Sequence, residues 1–140
     1  MSASDYGRVH VGNATVDGSS TKGWFIGNYV DPNLVKTGDL EVAWSPSKAG
    51  DHRDTWVVNQ TASFLTILFQ GREIVETPNG EHDLSTPGDY IYGGPGVPQR
   101  FRIMEDNTLT VTVKWPSLPD DILRFETLEQ WRASLNSPQP

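Results

Sequence analysis

Apolar positions recur along this chain in short bursts punctuated by glycine and proline, a rhythm that predicts a sandwich or barrel of short strands. Leu40, Val42 and Trp44 alternate with their neighbours at period two, as a strand with one buried face requires. Residues 64–69 form a nearly continuous apolar run, expected of a strand covered on both faces. Residues 72–77 lead into Pro78, Asn79 and Gly80, and Asn-Gly is the strongest short hairpin signal because both residues tolerate positive φ. The return strand is expected around His82 to Leu84, and another short strand at 89–92 stops at Gly93, Gly94, Pro95 and Gly96. Residues 99–104 are then expected to pair with 108–115 across Glu105, Asp106 and Asn107. In that last strand Leu109, Val111, Val113 and Trp115 share one face, and Thr108, Thr110, Thr112 and Lys114 share the other, wetter one.

One helix is predicted over 127–136. Thr127 and Gln130 have the capping-box spacing, Leu128, Trp131 and Leu135 lie on one stripe, and Pro138 stops propagation. Packed on the outside of the barrel, it reads as a cap over an open edge or mouth.

Composition narrows the function classes. With 140 residues there is room for one domain and one core. Eleven Lys+Arg against eighteen Asp+Glu give a formal net charge of −7, a surface that repels nucleic-acid phosphates and anionic lipid headgroups alike. No apolar run approaches the roughly 20 residues of a membrane span. The first eight residues do not read as a signal peptide, and without cysteine there is no disulfide framework and no thiolate zinc site. A cytoplasmic protein is the simplest expectation.

Two stretches carry a family resemblance. From Gly88 to Gln99 the chain follows the second motif of the cupins, with Gly88 at its first glycine and Pro95, Gly96, Val97 and Pro98 as its turn. Gln99 stands where that motif places a metal-binding histidine, and Ile103 where it places an asparagine. Counting back from Gly71, Phe64 takes the glutamate position of the first motif, and its two histidines fall on Val57 and Asn59 or on Val58 and Gln60. Gly23 to Gly27, Leu40 to Trp44, Gly50, Arg53, Trp56 and residues 114–117 are also similar to small bacterial one-domain cupins that are often mislabelled as signal peptidases. In that group a histidine commonly stands at the position of Ser47. The resemblance implies an all-β fold, a double-stranded β-helix (jelly-roll or cupin barrel) with a short C-terminal helix. The barrel would span 23–117, between an N-terminal arm at 1–22 and a C-terminal segment at 118–140.

Substitution of the ligand positions predicts no metal and no other cofactor. The histidines His10, His52 and His82 lie in separate segments without ligand spacing. Small closed barrels fill their interior or enclose one small ligand. Trp44, Trp56, Asn59, Phe64, Thr66, Tyr90, Tyr92, Gln99, Phe101 and Trp115 are the candidate binding residues, each aromatic among them equally readable as core. His52, Arg53 and Glu41 are the candidate catalytic groups. Arg53 would clamp a carboxylate or enolate and His52 would shuttle a proton, unless residues 51–54 are simply a solvated loop in which Arg53 pairs with Asp51 or Asp54. Glu41 is a base if its face is interior and plain surface otherwise, surface being favoured.

The expected function is a metal-independent cyclisation, isomerisation or elimination on a largely apolar metabolite, such as a bacterial natural-product intermediate. The rivals are a non-catalytic ligand-binding cupin and a metal cupin using unusual ligands such as His52 or Glu41. Cupins often pair through sheet edges, so a homodimer is a further expectation.

Overall fold

The structure, a computed structural model, describes residues 9–136. Residues 1–8, where no signal peptide was read, and Pro138, read as the helix stop, lie outside the described residues. The strands are β1 (Trp24–Gly27), β2 (Val35–Lys36), β3 (Glu41–Ser47), β4 (Trp56–Asn59), β5 (Ser63–Gln70), β6 (Glu73–Thr77), β7 (Gly80–Leu84), β8 (Tyr90–Gly93), β9 (Arg100–Ile103), β10 (Thr108–Trp115) and β11 (Ile122–Phe125). A short helix α1 (Ala14–Asp17), which the sequence reading did not foresee, precedes them and is capped by Asn13; α2 (Leu128–Leu135) follows them. The Thr127 hydroxyl accepts from the Gln130 amide at 3.1 Å and the Gln130 side chain accepts from the Glu126 amide at 2.9 Å, so a capping interaction of the expected kind forms.

Two curved sheets face each other. The larger has the order β2-β1-β3-β10-β5-β8. The smaller is built from β7-β6-β9 and β11-β4, joined by the segment before β4 running along β9. Val57 and Gln99 exchange backbone hydrogen bonds at 2.9 and 3.0 Å, and Arg53 donates to the Phe101 carbonyl at 3.0 Å. The hairpin at 73–84 forms as the Asn-Gly signal predicts, with Gly80 at φ +120°.

The expected pairing of 99–104 with 108–115 does not form. β9 pairs with β6, whereas β10 lies between β3 and β5 in the opposite sheet. Sequence adjacency suggested a hairpin, but the chain crosses from one sheet to the other between these strands. The crossing is locked at Gly71, which has φ +85° and whose added Cβ would lie 2.5 Å from the Thr108 Cα. Only glycine lets β5 turn out so close to the start of β10.

Strand parity divides the larger sheet sharply. Its inner face carries Ala43 and Ser45 from β3, Thr110, Thr112 and Lys114 from β10, and Phe64, Thr66 and Leu68 from β5. Its outer face carries Trp44, Val111, Val113, Leu65 and Ile67, all only half-buried. The run at 64–69 was expected to be covered on both faces; one face of it is only partly covered. Apolar packing concentrates at one end of the sandwich, around Leu68, Val75 and Leu84 with Ile91 against them.

Candidate functional site

Between the sheets lies a lumen of about 500 Å³. Its floor and walls are not the apolar shell expected for an apolar metabolite. Ser45, Ser47, Thr110 and Thr112 line one side, and Val57, Val75, Phe101 and Ile103 line the other. Charged side chains enter from several elements: Glu73 from β6, Lys114 from β10, Arg53 from the strand-like segment before β4, and Arg124 and Lys22 at the exposed rim. A second hollow of about 470 Å³ lies over the outer side of the smaller sheet. There Glu76 is ion-paired with Arg100 at 3.0 Å and Arg102 at 2.7 Å, which satisfies much of its charge internally. The lumen is therefore the better-equipped site.

Arg53 is placed by geometry that sequence did not reveal. Its backbone follows β9, which turns the side chain inward rather than into a solvated loop. The guanidinium donates to the Gln99 carbonyl at 3.0 Å and to the Gln99 side-chain oxygen at 3.2 Å, and stacks over Phe101 at 5.2 Å. It pairs with neither Asp51 nor Asp54; His52 takes Asp54 instead, at 3.3 Å, and also contacts the Gly50 carbonyl at 2.9 Å. Burial pulls the guanidinium down to about 10, the nearby Arg124 charge acts the same way, and Glu73 opposes both.

Glu73 is 6 % exposed and one carboxyl oxygen, Oε2, is buried with no hydrogen-bond partner. Burial pushes its carboxyl up to about 7, against the opposing attraction of Arg53. A carboxyl that titrates near neutrality inside a cavity is equipped to take up and return a proton. Lys114 is equally buried, its ammonium 5.0 Å from the centre of the Trp24 ring. Desolvation lowers its affinity for the proton, Arg53 and Arg124 lower it further, and Glu41 and Asp121 act oppositely.

No protein-family model matches the chain, and no curated protein matches it. Solved structures do resemble it. A conserved protein with a double-stranded β-helix domain from Klebsiella pneumoniae is 18% identical over 65% of this chain and 78% of its own, with a TM-score of 0.55. KdgF from Halomonas sp. is 19% identical over 61% of this chain and 77% of its own, with a TM-score of 0.54. A cupin protein from Bacteroides fragilis gives 16% identity over 62% and 75% of the two chains, with a TM-score of 0.52. The fold is that of the cupins.

In this cupin barrel the positions matched to ligands diverge in fate. Gln99 and Val57 face the lumen. Phe64 is fully buried, its ring filling the space over Gly93, whose added Cβ would meet the ring at 2.2 Å. Asn59 is 2 % exposed and its amide nitrogen has no hydrogen-bond partner, yet it does not line the lumen. Among the described residues no group of three or more His, Cys, Asp or Glu side chains is placed to hold a metal.

Of the other candidate residues, Thr66, Phe101, His52 and Arg53 line the cavity, with Thr66 bonded to Thr112 at 2.9 Å. Trp44, Tyr90, Tyr92 and Trp115 do not: they lie on the outer face, Trp44 edge-on to Phe69 at 5.9 Å and Tyr92 beside Trp115 at 6.1 Å. Trp56 is buried beneath the Arg100 guanidinium, outside the cavity. Glu41, favoured as surface, is in fact 6 % exposed, hydrogen-bonded to the Tyr29 hydroxyl and close to Lys114, but it too is absent from the lumen wall. Sequence reasoning missed Glu73, Lys114, Arg124, Lys22 and Trp24. A lysine ending a threonine-lined strand face was the one available signal for Lys114; Glu73 lay in a segment read only as the first strand of the Asn-Gly hairpin.

Proposed function

We propose that this protein is a metal-independent cupin enzyme that binds a small molecule in its lumen and carries out a non-redox proton-transfer step of the isomerisation, elimination or cyclisation type. The observation that carries this reading is Glu73, a lumen carboxyl with an unpartnered oxygen and a proton affinity set near neutrality. In its ionised form it takes a proton from a carbon beside a carbonyl. The electron pair moves to the carbonyl oxygen, where the Arg53 guanidinium stabilises the developing charge. The protonated carboxyl then returns its proton at another carbon, giving isomerisation, or a leaving group departs with the electron pair, giving elimination. Gln99, held by Arg53, orients the substrate. Metal independence is supported by the donor set: the two ligand positions that face the cavity with a polar group carry the Ser47 hydroxyl and the Gln99 amide, the latter already engaged by Arg53, and both are neutral.

The homodimer expectation shifts from sheet edges to a sheet face. Tyr90, Tyr92 and Trp115 are 67, 57 and 38 % exposed on an outer face whose strand positions are uncharged, and an uncharged apolar face is complementary to a second copy of itself.

The enzyme reading is tested by incubating the protein with pooled carbonyl metabolites in D2O and following deuterium incorporation by mass spectrometry. Exchange that disappears in Glu73→Gln, in protein free of stoichiometric metal by elemental analysis, is expected. Binding without exchange would make the protein a carrier or sensor, and stoichiometric transition metal would overturn the metal-independent reading.

A further inference from the structure

The chain as a whole is strongly acidic, with a formal net charge of −7, yet its lumen is cationic. Lys22, Arg53, Lys114 and Arg124 line it against a single carboxylate, Glu73. Among the described residues none of the four cations takes part in an ion pair within 4.0 Å, although five such pairs form among other side chains, one of them between the lumen residue His52 and Asp54. They come from four separate elements of the chain, so no local charge pattern places them together. The fold itself does. Arg53, Lys114 and Arg124 are near enough for each to disturb the protonation of another.

Convergent like charges at a partly dehydrated site oppose folding unless something else is gained. Arg53 is engaged on Nη2 by Gln99 and on Nε by the Thr55 carbonyl at 3.3 Å, which leaves Nη1 without a partner among the described residues. The Lys114 ammonium lies over the Trp24 ring, with the Glu41 and Asp121 charges acting on it but beyond ion-pair distance. The rim is graded too: Lys22 and Arg124 are exposed at the entrance while Arg53 and Lys114 lie deeper, an arrangement that draws a negative charge inward.

Building on the enzyme reading above, we propose that the lumen's ligand is a small organic anion, a metabolite bearing a carboxylate or phosphate, whose charge is held between Lys114, Arg53 and the rim residue Arg124. Its apolar part lies on Phe101 and Trp24. Anchoring the anionic group on Lys114 leaves the reacting carbon to face Glu73. This replaces the largely apolar metabolite that the sequence suggested.

The test uses the Trp24 indole N–H signal in a 15N-labelled protein, assigned with Trp24→Phe, because Trp24 is the one tryptophan lining the lumen. Benzoate and succinate are titrated beside benzamide and succinamide, with inorganic phosphate as a separate arm that distinguishes the two anion sources. Saturable shifts with anions and none with the amides are expected. Arg124→Gln, an exposed rim change, should weaken binding about threefold to fivefold. Glu73→Gln, which removes the opposing negative charge, should tighten it. Equal response to the amides, no saturable response to any anion, or both variants shifting affinity in the same direction would overturn the proposal. The enzyme reading fails separately: anion binding without deuterium exchange would leave the anion site standing and remove the catalysis, and exchange without anion binding would do the reverse.

Discussion

Replacing Glu73 with glutamine should stabilise this protein at neutral and alkaline pH and leave it unchanged in acid. The folded carboxyl sits at about 7 against an ordinary value of 4.5, chiefly because burial disfavours its charged form. Above pH 4.5 the unfolded chain releases this proton while the folded chain retains it, so stability is lost as pH rises through this window. The loss is complete once the folded carboxyl has also ionised, above about 7. Moving a carboxyl this far corresponds to about 3 kcal/mol. Glutamine has nearly the same shape and no charge, so Glu73→Gln should match the wild type at pH 4 and exceed it by up to about 3 kcal/mol at pH 8, or roughly 10 °C in Tm for a domain of this size. Urea denaturation followed by circular dichroism from pH 4 to 9 measures the difference directly. A gap independent of pH, or a wild type that gains on the variant as pH rises, would show that Arg53 stabilises the ionised carboxylate outright and would refute the reasoning.

Three other outcomes follow from the packing. Arg53→Met leaves Gln99 without its donor and should cost about 1–3 kcal/mol in denaturation experiments; because Arg53 pulls the Glu73 carboxyl down, its removal should move the Glu73 13C titration midpoint above 7. Gly93→Ala drives a methyl into the immobile Phe64 ring, 2.2 Å from its nearest atom, and should cost about 1–3 kcal/mol, recovered in large part by a second change, Phe64→Leu, that vacates the space. Sedimentation should find a dimer that Tyr92→Glu dissociates; a wild type monomeric at tens of micromolar would remove the outer sheet face as an interface.

Much of the framework was already legible along the chain. The Asn-Gly turn, the capping of α2 by Thr127 and Gln130 and the glycine-proline turns of the cupin pattern are all local, because each depends on residues a few positions apart. The alternation of Leu40, Val42 and Trp44 marked a strand but not its buried face, which carries Glu41 and Ala43 instead. The site was legible only in part. Arg53, Gln99, Phe101 and Thr66 were singled out and do line the lumen, but Trp44, Tyr90, Tyr92 and Trp115 were placed with them and lie outside.

The reason is parity. Alternation states that Val111 and Thr112 point to opposite faces of β10; it does not state which face is enclosed. In this fold the threonine face looks into the cavity and the valine face looks out, the reverse of the ordinary expectation that apolar faces point inward. The non-local pairings are the second reason. Neither the crossing that sends β9 to β6 and β10 to the other sheet, nor the meeting of Glu73 with Arg53 and Lys114, is encoded within any short stretch of chain. The residues determined which segments would be strands and where they would turn. Only the closing of one sheet over the other decided which side chains share the enclosed space, and with it the charge that the space presents.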